Sequence, residues 1–192
     1  TFQYSYENRV SLPSQAIHGK DGALWVSDRE KGLVRATGFG EGTSVVPNGP
    51  RNGSAYRMDI QQGVLFVATG GVEGNWTNKF NKDGVHHYAD GRWMSSDREN
   101  TPIMNGANAF GEALNDVLCV AVDPRDPERA FAGSWDDGLL LFQGRVPTTI
   151  YNHTNSDLQQ ETNGPADKVN IGGLSFDRQG DLWMTNSLTP AP

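Results

Sequence analysis

The sequence predicts an all-β protein made of repeated four-stranded sheets, and three observations lead to that prediction. Glycine makes up 23 of the 192 residues, well above the usual share of about 7%, so much of the chain lies in turns. Apolar residues occur in short runs bounded by turn residues, as in short β-strands. Four of these runs share one pattern, a turn followed by an apolar strand and a small or polar residue: they are 21–28, 62–69, 128–134 and 179–186.

The spacing of these runs predicts a β-propeller. Trp25, Phe66, Phe131 and Trp183 occupy matching positions, and the intervals between them suit the ~40–50 residues of a four-stranded blade, apart from a longer second interval. Up-and-down sheets repeated in this way are typical of propellers. We therefore predict three to four consecutive blades from a larger propeller. The alternative is a closed four-bladed ring in which the two chain ends complete one blade.

Each repeat supplies its own strands and turns. Strands 14–18 and 33–36 flank the first run, strands 117–122 and 139–142 flank the third, and strand 171–176 precedes the fourth. The connections contain glycine, often after aspartate, which favours hairpin turns. The predicted blades cover residues 11–50, 54–94, 115–151 and 168–192. Two polar, turn-rich stretches, 95–114 and 152–167, are predicted as long insertions that are either functional rim loops or solvated spacers.

Composition excludes several classes of partner and site. A net charge of −7 and a pI near 5.0 exclude nucleic acid as the main partner, and no apolar run has the length of a membrane span. The chain has one cysteine, Cys119, so it forms neither an internal disulfide nor a cysteine-based zinc site. We predict that Cys119 is buried in its apolar run, and we expect no metal and no cofactor.

Three segments carry a family resemblance. Residues 22–35 and 177–185 resemble the repeat of the two-component regulator propeller family, in which aspartate and glycine form the turn before an apolar strand. Residues 121–140 resemble the PorZ-type propeller proteins of the Bacteroidetes type IX secretion system. Gly19 and Ile60 depart from the pattern, since they stand where the family has aspartate.

The resemblance implies a non-enzymatic, extracytoplasmic binding or sensor module. In the family, such propellers bind oligosaccharides for sensor kinases or belong to a secretion and cell-surface machine that handles lipopolysaccharide. The implied ligand is a saccharide, a lipopolysaccharide or a partner protein, and the implied location is the periplasm or the cell surface. The chain begins at Thr1 without a signal peptide, which we interpret as a piece of a longer precursor.

Five residues are candidates for ligand contact. Trp76 and Trp135 lie at or near predicted turns, where aromatic rings can stack on sugars. Asn152, His153 and Asn155 lie together in the second insertion, where they would contact sugar hydroxyls. Trp25 and Trp183 recur at matched positions and are predicted to be core residues instead.

The alternative function is a propeller glycoside hydrolase or lyase. Hydrolysis of a glycosidic bond requires two carboxylates that act together. Asp136 and Asp137 are adjacent, so on a strand they would point to opposite faces and would not form such a pair. His86 and His87 are predicted to face opposite ways on one strand, and a lyase base among the histidines stays open.

An open arc of blades also exposes strand edges. Unpaired edges favour association, so we predict homo-oligomers formed through exposed blade edges.

Overall fold

A computed structural model describes most of the chain, which forms two compact units, Thr1–Gly49 and Pro50–Pro192. The described residues are 12–29, 32–38, 41–45, 48–105, 114–162 and 167–190, together with the backbone of 5–6 and 9–10. Within these ranges the regular structure consists of β-strands and one short 3-10 helix. The described residues contain no helix long and apolar enough to cross a membrane. The prediction of an all-β chain is confirmed.

The first unit contains a two-stranded ribbon and a four-stranded sheet. Its strands are β1 (Ser5–Tyr6), β2 (Arg9–Val10), β3 (Pro13–His18), β4 (Leu24–Asp28), β5 (Gly32–Gly38) and β6 (Glu41–Val45), and β3 to β6 pair antiparallel in chain order. Asp21 holds the turn before β4. Its carboxylate accepts a hydrogen bond from the Ala23 amide at 3.2 Å and pairs with Arg35 on β5 at 2.8 Å. Val26 and Val34 form the buried centre of this sheet.

The second unit contains two four-stranded sheets and a hairpin. The strands of the first sheet are β7 (Arg57–Gln61), β8 (Val64–Ala68), β9 (Val85–Ala89) and β10 (Arg92–Ser96). Those of the second are β11 (Val117–Val122), β12 (Ala130–Ser134), β13 (Leu139–Gln143) and β14 (Val146–Tyr151), and the hairpin consists of β15 (Asn170–Phe176) and β16 (Leu182–Ser187). Every sheet pairs antiparallel in chain order. This is the meander of a propeller blade, so the predicted blade architecture is confirmed.

Two-residue turns set the register of three hairpins in this unit. They are Gln62-Gly63, Asp90-Gly91 and Gly144-Arg145, and all six residues have positive φ. A type I′ turn requires positive φ at both central residues, and its twist matches that of the flanking strands. Each pair contains one glycine, which adopts positive φ without steric cost and therefore favours a reversal at that point.

The main hydrophobic core of the second unit lies between its two full sheets. Phe66 on β8 and Phe142 on β13 are fully buried and meet edge to face, with 5.2 Å between ring centroids. Met104 and Leu114, from the connection between the sheets, are buried in the same cluster. Each such side chain contributes roughly 1.5–3 kcal/mol through burial. A second cluster around Leu139 and Ile171 packs the hairpin β15–β16 against the second sheet.

Cys119 is buried on β11, as predicted, with 2% of its surface exposed. Burial raises the pKa of its thiol to about 11, because a buried thiolate loses its hydration. The thiolate is the reactive form of cysteine, so the native protein holds this group in an unreactive state.

We expect an aromatic disulfide reagent at pH 8 to modify Cys119 more than ~100-fold more slowly in the native chain than in the unfolded chain. Both the raised pKa and the closed surroundings slow the reaction. The measurement is the absorbance of the released thiolate with and without denaturant. Equal rates in the two states would contradict the burial.

Neither of the two tryptophans predicted to be core residues belongs to a hydrophobic core cluster of the described residues. Trp183 on β16 is 67% exposed, whereas Trp25 on β4 is partly buried. β4 pairs with a strand on each side, while β16 pairs only with β15 among the described residues. The Trp183 indole instead donates a hydrogen bond to Asp177 at 2.8 Å. The repeat pattern placed the residue correctly on its strand, but neighbouring strands decide whether that position is covered.

Candidate binding face

Four connections meet at one end of the two sheets in the second unit. They are the described parts of 69–84, 97–116, 135–138 and 152–169, and we call this surface the loop face. Main-chain hydrogen bonds join them: the Gly70 amide donates to Val117 O at 2.9 Å, the Trp135 amide to Asp116 O at 3.0 Å, and the Val169 amide to Asp136 O at 2.8 Å. Both predicted insertions contribute to this face. Residues 106–113 and 163–166 of these insertions lie outside the described residues.

Asp116 anchors the β8–β9 connection. Its side chain is fully buried and accepts hydrogen bonds from the Phe80 amide at 2.9 Å, the Asn81 amide at 3.0 Å and Asn78 Nδ2 at 3.1 Å. A buried carboxylate needs such donors because it has lost its hydration. The three bonds fix residues 78–81 against the start of β11.

Asp136 connects two further parts of the loop face. Its carboxylate accepts a hydrogen bond from Asn78 Nδ2 at 2.7 Å and forms an ion pair with Lys168 Nζ at 2.7 Å. Burial raises the pKa of Asp136, and Lys168 acts in the opposite direction by stabilising the charged form. The pair ties the β14–β15 connection to the β12–β13 connection.

Asp137 contacts different partners from those of Asp136. It accepts a hydrogen bond from the Asn115 amide at 2.9 Å and lies 3.4 Å from the Ser134 hydroxyl. Asp136 and Asp137 are both buried, and each contacts a different connection. The two neighbouring carboxylates therefore stabilise different parts of the loop face.

The structure brings Trp76 and Trp135 together. Their ring centroids lie 5.3 Å apart, and Trp135 Nε1 donates a hydrogen bond to Trp76 O at 3.0 Å. Trp135 is only 5% exposed, whereas Trp76 is 59% exposed. Trp135 thus supports Trp76 from below instead of presenting its own ring to solvent.

Phe80 is a second exposed aromatic residue on the same connection. It is 61% exposed, and it and Trp76 both have left-handed backbones, with φ of 55° and 65°. Asp116 fixes the Phe80 amide. Sequence reasoning missed Phe80, although an aromatic residue between polar neighbours in a predicted loop was the available signal.

Asn152, His153 and Asn155 lie together in the β14–β15 connection, and the two asparagines stabilise its turn. Asn152 Oδ1 accepts a hydrogen bond from the Thr154 amide at 2.9 Å, and Asn155 Oδ1 accepts one from the Asn152 amide at 2.8 Å. Asn155 Nδ2 donates to Ile150 O at 3.0 Å. These amides are engaged with the chain's own backbone, as is usual for asparagine in turns.

His153 contacts Asp167 through one ring nitrogen, and its other ring nitrogen is buried. Its Nε2 lies 3.1 Å from Asp167 Oδ1, and its Nδ1 is buried. The residue lines an open depression of about 770 Å³ together with Leu158, Gln159 and Asn186.

A second concave surface lies among β7, β11 and β15, and we call it the inner groove. It has a volume of about 840 Å³ and includes Arg57, Arg125 and Arg178 in its lining. Its residues come from three distant parts of the sequence, so no local motif indicated it. Within the described ranges, no three histidine, cysteine, aspartate or glutamate side chains converge to hold a metal ion.

Comparison with known proteins gives matches among solved structures. No protein-family profile and no curated protein matches the chain. PorZ, an essential bacterial surface component of the type IX secretion system of Porphyromonas gingivalis, matches 85% of this chain with a TM-score of 0.63 and 25% sequence identity. The chain is similar to one segment of PorZ. It spans 21% of the PorZ chain. The resemblance drawn from the repeats is confirmed.

Two extracellular domains from B. thetaiotaomicron also match. One is assigned to a one-component system, with a TM-score of 0.41, 15% identity, and coverage of 97% of this chain and 20% of that chain. The other is assigned to a hybrid two-component system, with a TM-score of 0.42, 12% identity, and coverage of 96% of this chain and 23% of that chain.

Proposed function

We propose that this chain is the binding part of an exported β-propeller protein of the sensor or secretion-component kind, and that its loop face binds a saccharide. The structural similarity to PorZ, a bacterial surface component, supports the exported location, in the periplasm or on the cell surface. The observation that carries the ligand class is Trp76, an exposed ring held on the buried ring of Trp135.

The geometry around Trp76 suits a sugar ring. Tryptophan offers a large flat apolar surface with polar atoms at its edge, and sugar rings have apolar faces surrounded by hydroxyls. The Asp116 and Asp136 hydrogen bonds fix the connection that carries Trp76. Little conformational entropy is therefore lost when a ligand binds, which favours affinity. Phe80 supplies a second exposed ring on the same connection.

The test is Trp76→Ala on the 192-residue chain, with binding to a glycan array followed by calorimetry on the strongest neutral or lipopolysaccharide-derived oligosaccharide. We expect a loss of affinity of ~10-fold or more, because an aromatic stack contributes about 0.5–1.5 kcal/mol in addition to the apolar area it buries, and about 1.4 kcal/mol corresponds to a tenfold change in Kd. Trp183→Ala is the matched control, because Trp183 is equally exposed but lies on β16. Equal effects of the two substitutions, or no glycan binding at all, would count against the proposal.

The same chain and the bound oligosaccharide also test the enzymatic alternative. Turnover of the bound oligosaccharide that disappears in Asp136→Asn or Asp137→Asn would replace the binding proposal with a hydrolase. The contacts that engage both carboxylates do not favour that outcome. If Trp76 bound a partner protein and no glycan, the loop face would still be the binding site, but its ligand would be a protein.

A further inference from the structure

A serine, a histidine and an asparagine form a connected hydrogen-bonded chain on the first sheet of the second unit. Ser95 on β10 lies directly opposite His86 on β9 in the strand register, so their side chains point to the same face of the sheet. Ser95 Oγ lies 2.8 Å from His86 Nδ1, and His86 Nε2 lies 3.0 Å from Asn52 Oδ1. A nucleophile, a base and a group that orients the base are therefore in contact.

The partners of Asn52 determine which ring nitrogen of His86 carries the proton. Asn52 Oδ1 also accepts a hydrogen bond from the Ser54 amide at 2.9 Å, so the atom that faces His86 Nε2 is a carbonyl oxygen. Nε2 must be the donor in this contact, because a carbonyl oxygen only accepts. In the neutral imidazole this leaves Nδ1 as the acceptor, and the Ser95 hydroxyl donates its hydrogen to Nδ1.

Burial favours the neutral, basic form of His86. The residue is 1% exposed, and burial lowers its pKa, while the charges of Asp83 and Asp97 act in the opposite direction. Both carboxylates also have partners of their own. Asp97 pairs with Arg51 at 2.9 Å, and Asp83 accepts a hydrogen bond from the Ser54 hydroxyl at 2.8 Å. The imidazole is thus able to accept a proton at neutral pH.

The oxygen of Ser95 has a second donor beside it. Ser95 is half-buried on the outer strand of its sheet, and the Arg51 amide donates a hydrogen bond to Ser95 Oγ at 3.2 Å. A main-chain donor at this point stabilises the negative charge that develops on the oxygen as its proton leaves. The serine therefore has both a base for its proton and a donor for its oxygen.

A depression of about 300 Å³ adjoins these residues. Its lining includes Arg51 and Asn52, which contact Ser95 and His86, and the exposed ring of Phe80. The charged groups of the lining balance, with three carboxylates and three cations: Asp83, Asp97, Glu99, Arg51, Lys82 and Arg98. The size and the balanced charge suit a small, uncharged ligand.

We propose that Ser95 and His86 form an acyl-transfer site for small carboxylic esters, with Ser95 as the nucleophile, His86 as the general base and Asn52 as the positioning residue. Esters suit the site because an alcohol leaves a carbonyl carbon more easily than an amine does. Phe80 offers an apolar surface to the alcohol part of the ester. This activity is separate from ligand binding at Trp76, so either one stands if the other fails.

The reaction needs only the ester and water. Ser95 Oγ attacks the carbonyl carbon of the ester while its proton passes to His86 Nδ1. The bond from this carbon to the alcohol oxygen then breaks, and the alcohol leaves with the proton from His86. Water attacks the acyl-serine in the same way, which releases the carboxylic acid and restores Ser95. The two ring nitrogens exchange the roles that they have in the serine-protease triad, where Nε2 faces the serine.

The test compares hydrolysis of p-nitrophenyl acetate by the 192-residue chain and by Ser95→Ala at pH 8. We expect the rate to fall ~10-fold or more in the variant, since a positioned general base contributes on the order of 10²–10⁴. Ser175→Ala is the matched control, because Ser175 is an exposed serine on β15 whose hydroxyl contacts the Phe176 carbonyl at 3.4 Å, and it should leave the rate unchanged. Equal rates in the original chain and in Ser95→Ala would overturn the proposal.

Covalent labelling gives a second measurement, which does not depend on turnover. A fluorophosphonate reacts with activated serines, so it should form one adduct per chain, located at Ser95 by peptide mass spectrometry. His86→Gln should slow the formation of this adduct ~10-fold or more, and thermal unfolding midpoints show whether each variant is folded. If His86→Gln does not fold, the position of the adduct in the original chain still decides the outcome. No adduct, or adducts spread over several serines, would overturn the assignment of the nucleophile.

Asn52→Ala tests the positioning role of Asn52. Without the carbonyl oxygen of Asn52, the His86 ring is free to take the other tautomer, in which Nδ1 cannot accept the proton of Ser95. We expect kcat for the ester to fall ~5-fold or more while KM stays within ~2-fold, as for an interaction that acts in the transition state. A change in KM alone would show that Asn52 shapes the depression and does not orient the base.

Discussion

Asp116→Ala should lower the free energy of unfolding by about 3 kcal/mol or more. Asp116 is fully buried and accepts hydrogen bonds from the Phe80 amide, the Asn81 amide and Asn78 Nδ2. Alanine would leave the Phe80 and Asn81 amides without their acceptor, while Asn78 Nδ2 keeps its bond to Asp136. Each unsatisfied buried donor costs on the order of 1–3 kcal/mol. Urea denaturation gives the stability change, and amide hydrogen exchange at Phe80 and Asn81 should accelerate because their acceptor is lost.

The control is Asp157→Ala. Asp157 is an exposed aspartate in the β14–β15 connection, and substitutions at such positions usually change stability by less than ~0.5 kcal/mol. If Asp116→Ala were as mild as Asp157→Ala, the buried network would not hold the loop face together. The rigid support argued for Trp76 would then lose its basis.

His87→Leu should remove much of the acid sensitivity of folding. His87 on β9 is 1% exposed, stacks on Phe66 at 5.2 Å between ring centroids, and has no hydrogen-bond partner for either ring nitrogen. Burial, with smaller contributions from the charges of Arg145 and His86, lowers the pKa of His87 from 6.5 to about 4. The folded state therefore favours the neutral ring.

The sign of the pH effect follows from that shift. The unfolded chain protonates this histidine below pH ~6.5, while the folded chain resists protonation until about pH 4, so stability is full above pH 6.5 and falls as the pH decreases through this window. Between pH 8 and pH 5, protonation of His87 in the unfolded chain lowers the free energy of unfolding by about 2 kcal/mol, since one pKa unit corresponds to about 1.36 kcal/mol.

Urea denaturation of both proteins at pH 8 and pH 5 tests this expectation. The leucine variant should lose about 2 kcal/mol less than the original chain over that range, and at pH 8 it should be at least as stable, because two unpaired ring nitrogens leave the core. His86 hydrogen-bonds to Asn52 and Ser95, and burial also lowers its pKa. Its contribution to the loss of stability at low pH remains in both proteins. Identical pH dependence of the two chains would show that His87 is not buried as described.

The fold was largely predictable from the local sequence pattern, because residues that are close in the sequence determine strands and tight turns. The repeated positions of Gly22, Gly63 and Gly180 indicate reversals, and these residues do adopt the left-handed conformation that such turns favour. The apolar run 117–122 became β11 with every residue buried. The alternation at His86 and His87 correctly predicted that their rings point to different partners.

The candidate sites were predictable only in part. Trp76 and Trp135 were proposed separately, and the structure brings them together with opposite exposures. Asn152 and Asn155 stay candidates for sugar contact, and the structure adds that their side-chain amides stabilise their own turn. Asp116, the anchor of the loop face, carried no signal in the sequence, because its partners at 78–81 are far away along the chain.

The sequence by itself determined the all-β class, the blade repeat and the turns, since hydrophobic alternation and glycine placement act over a few residues. Only the tertiary structure decided which side chains are covered and which distant groups meet. Trp25 and Trp183 occupy the same repeat position, but the strands beside them leave the second one exposed. The inner groove and the Asp116 network arise in the same way, because each is made by residues that approach one another only when separate sheets pack together.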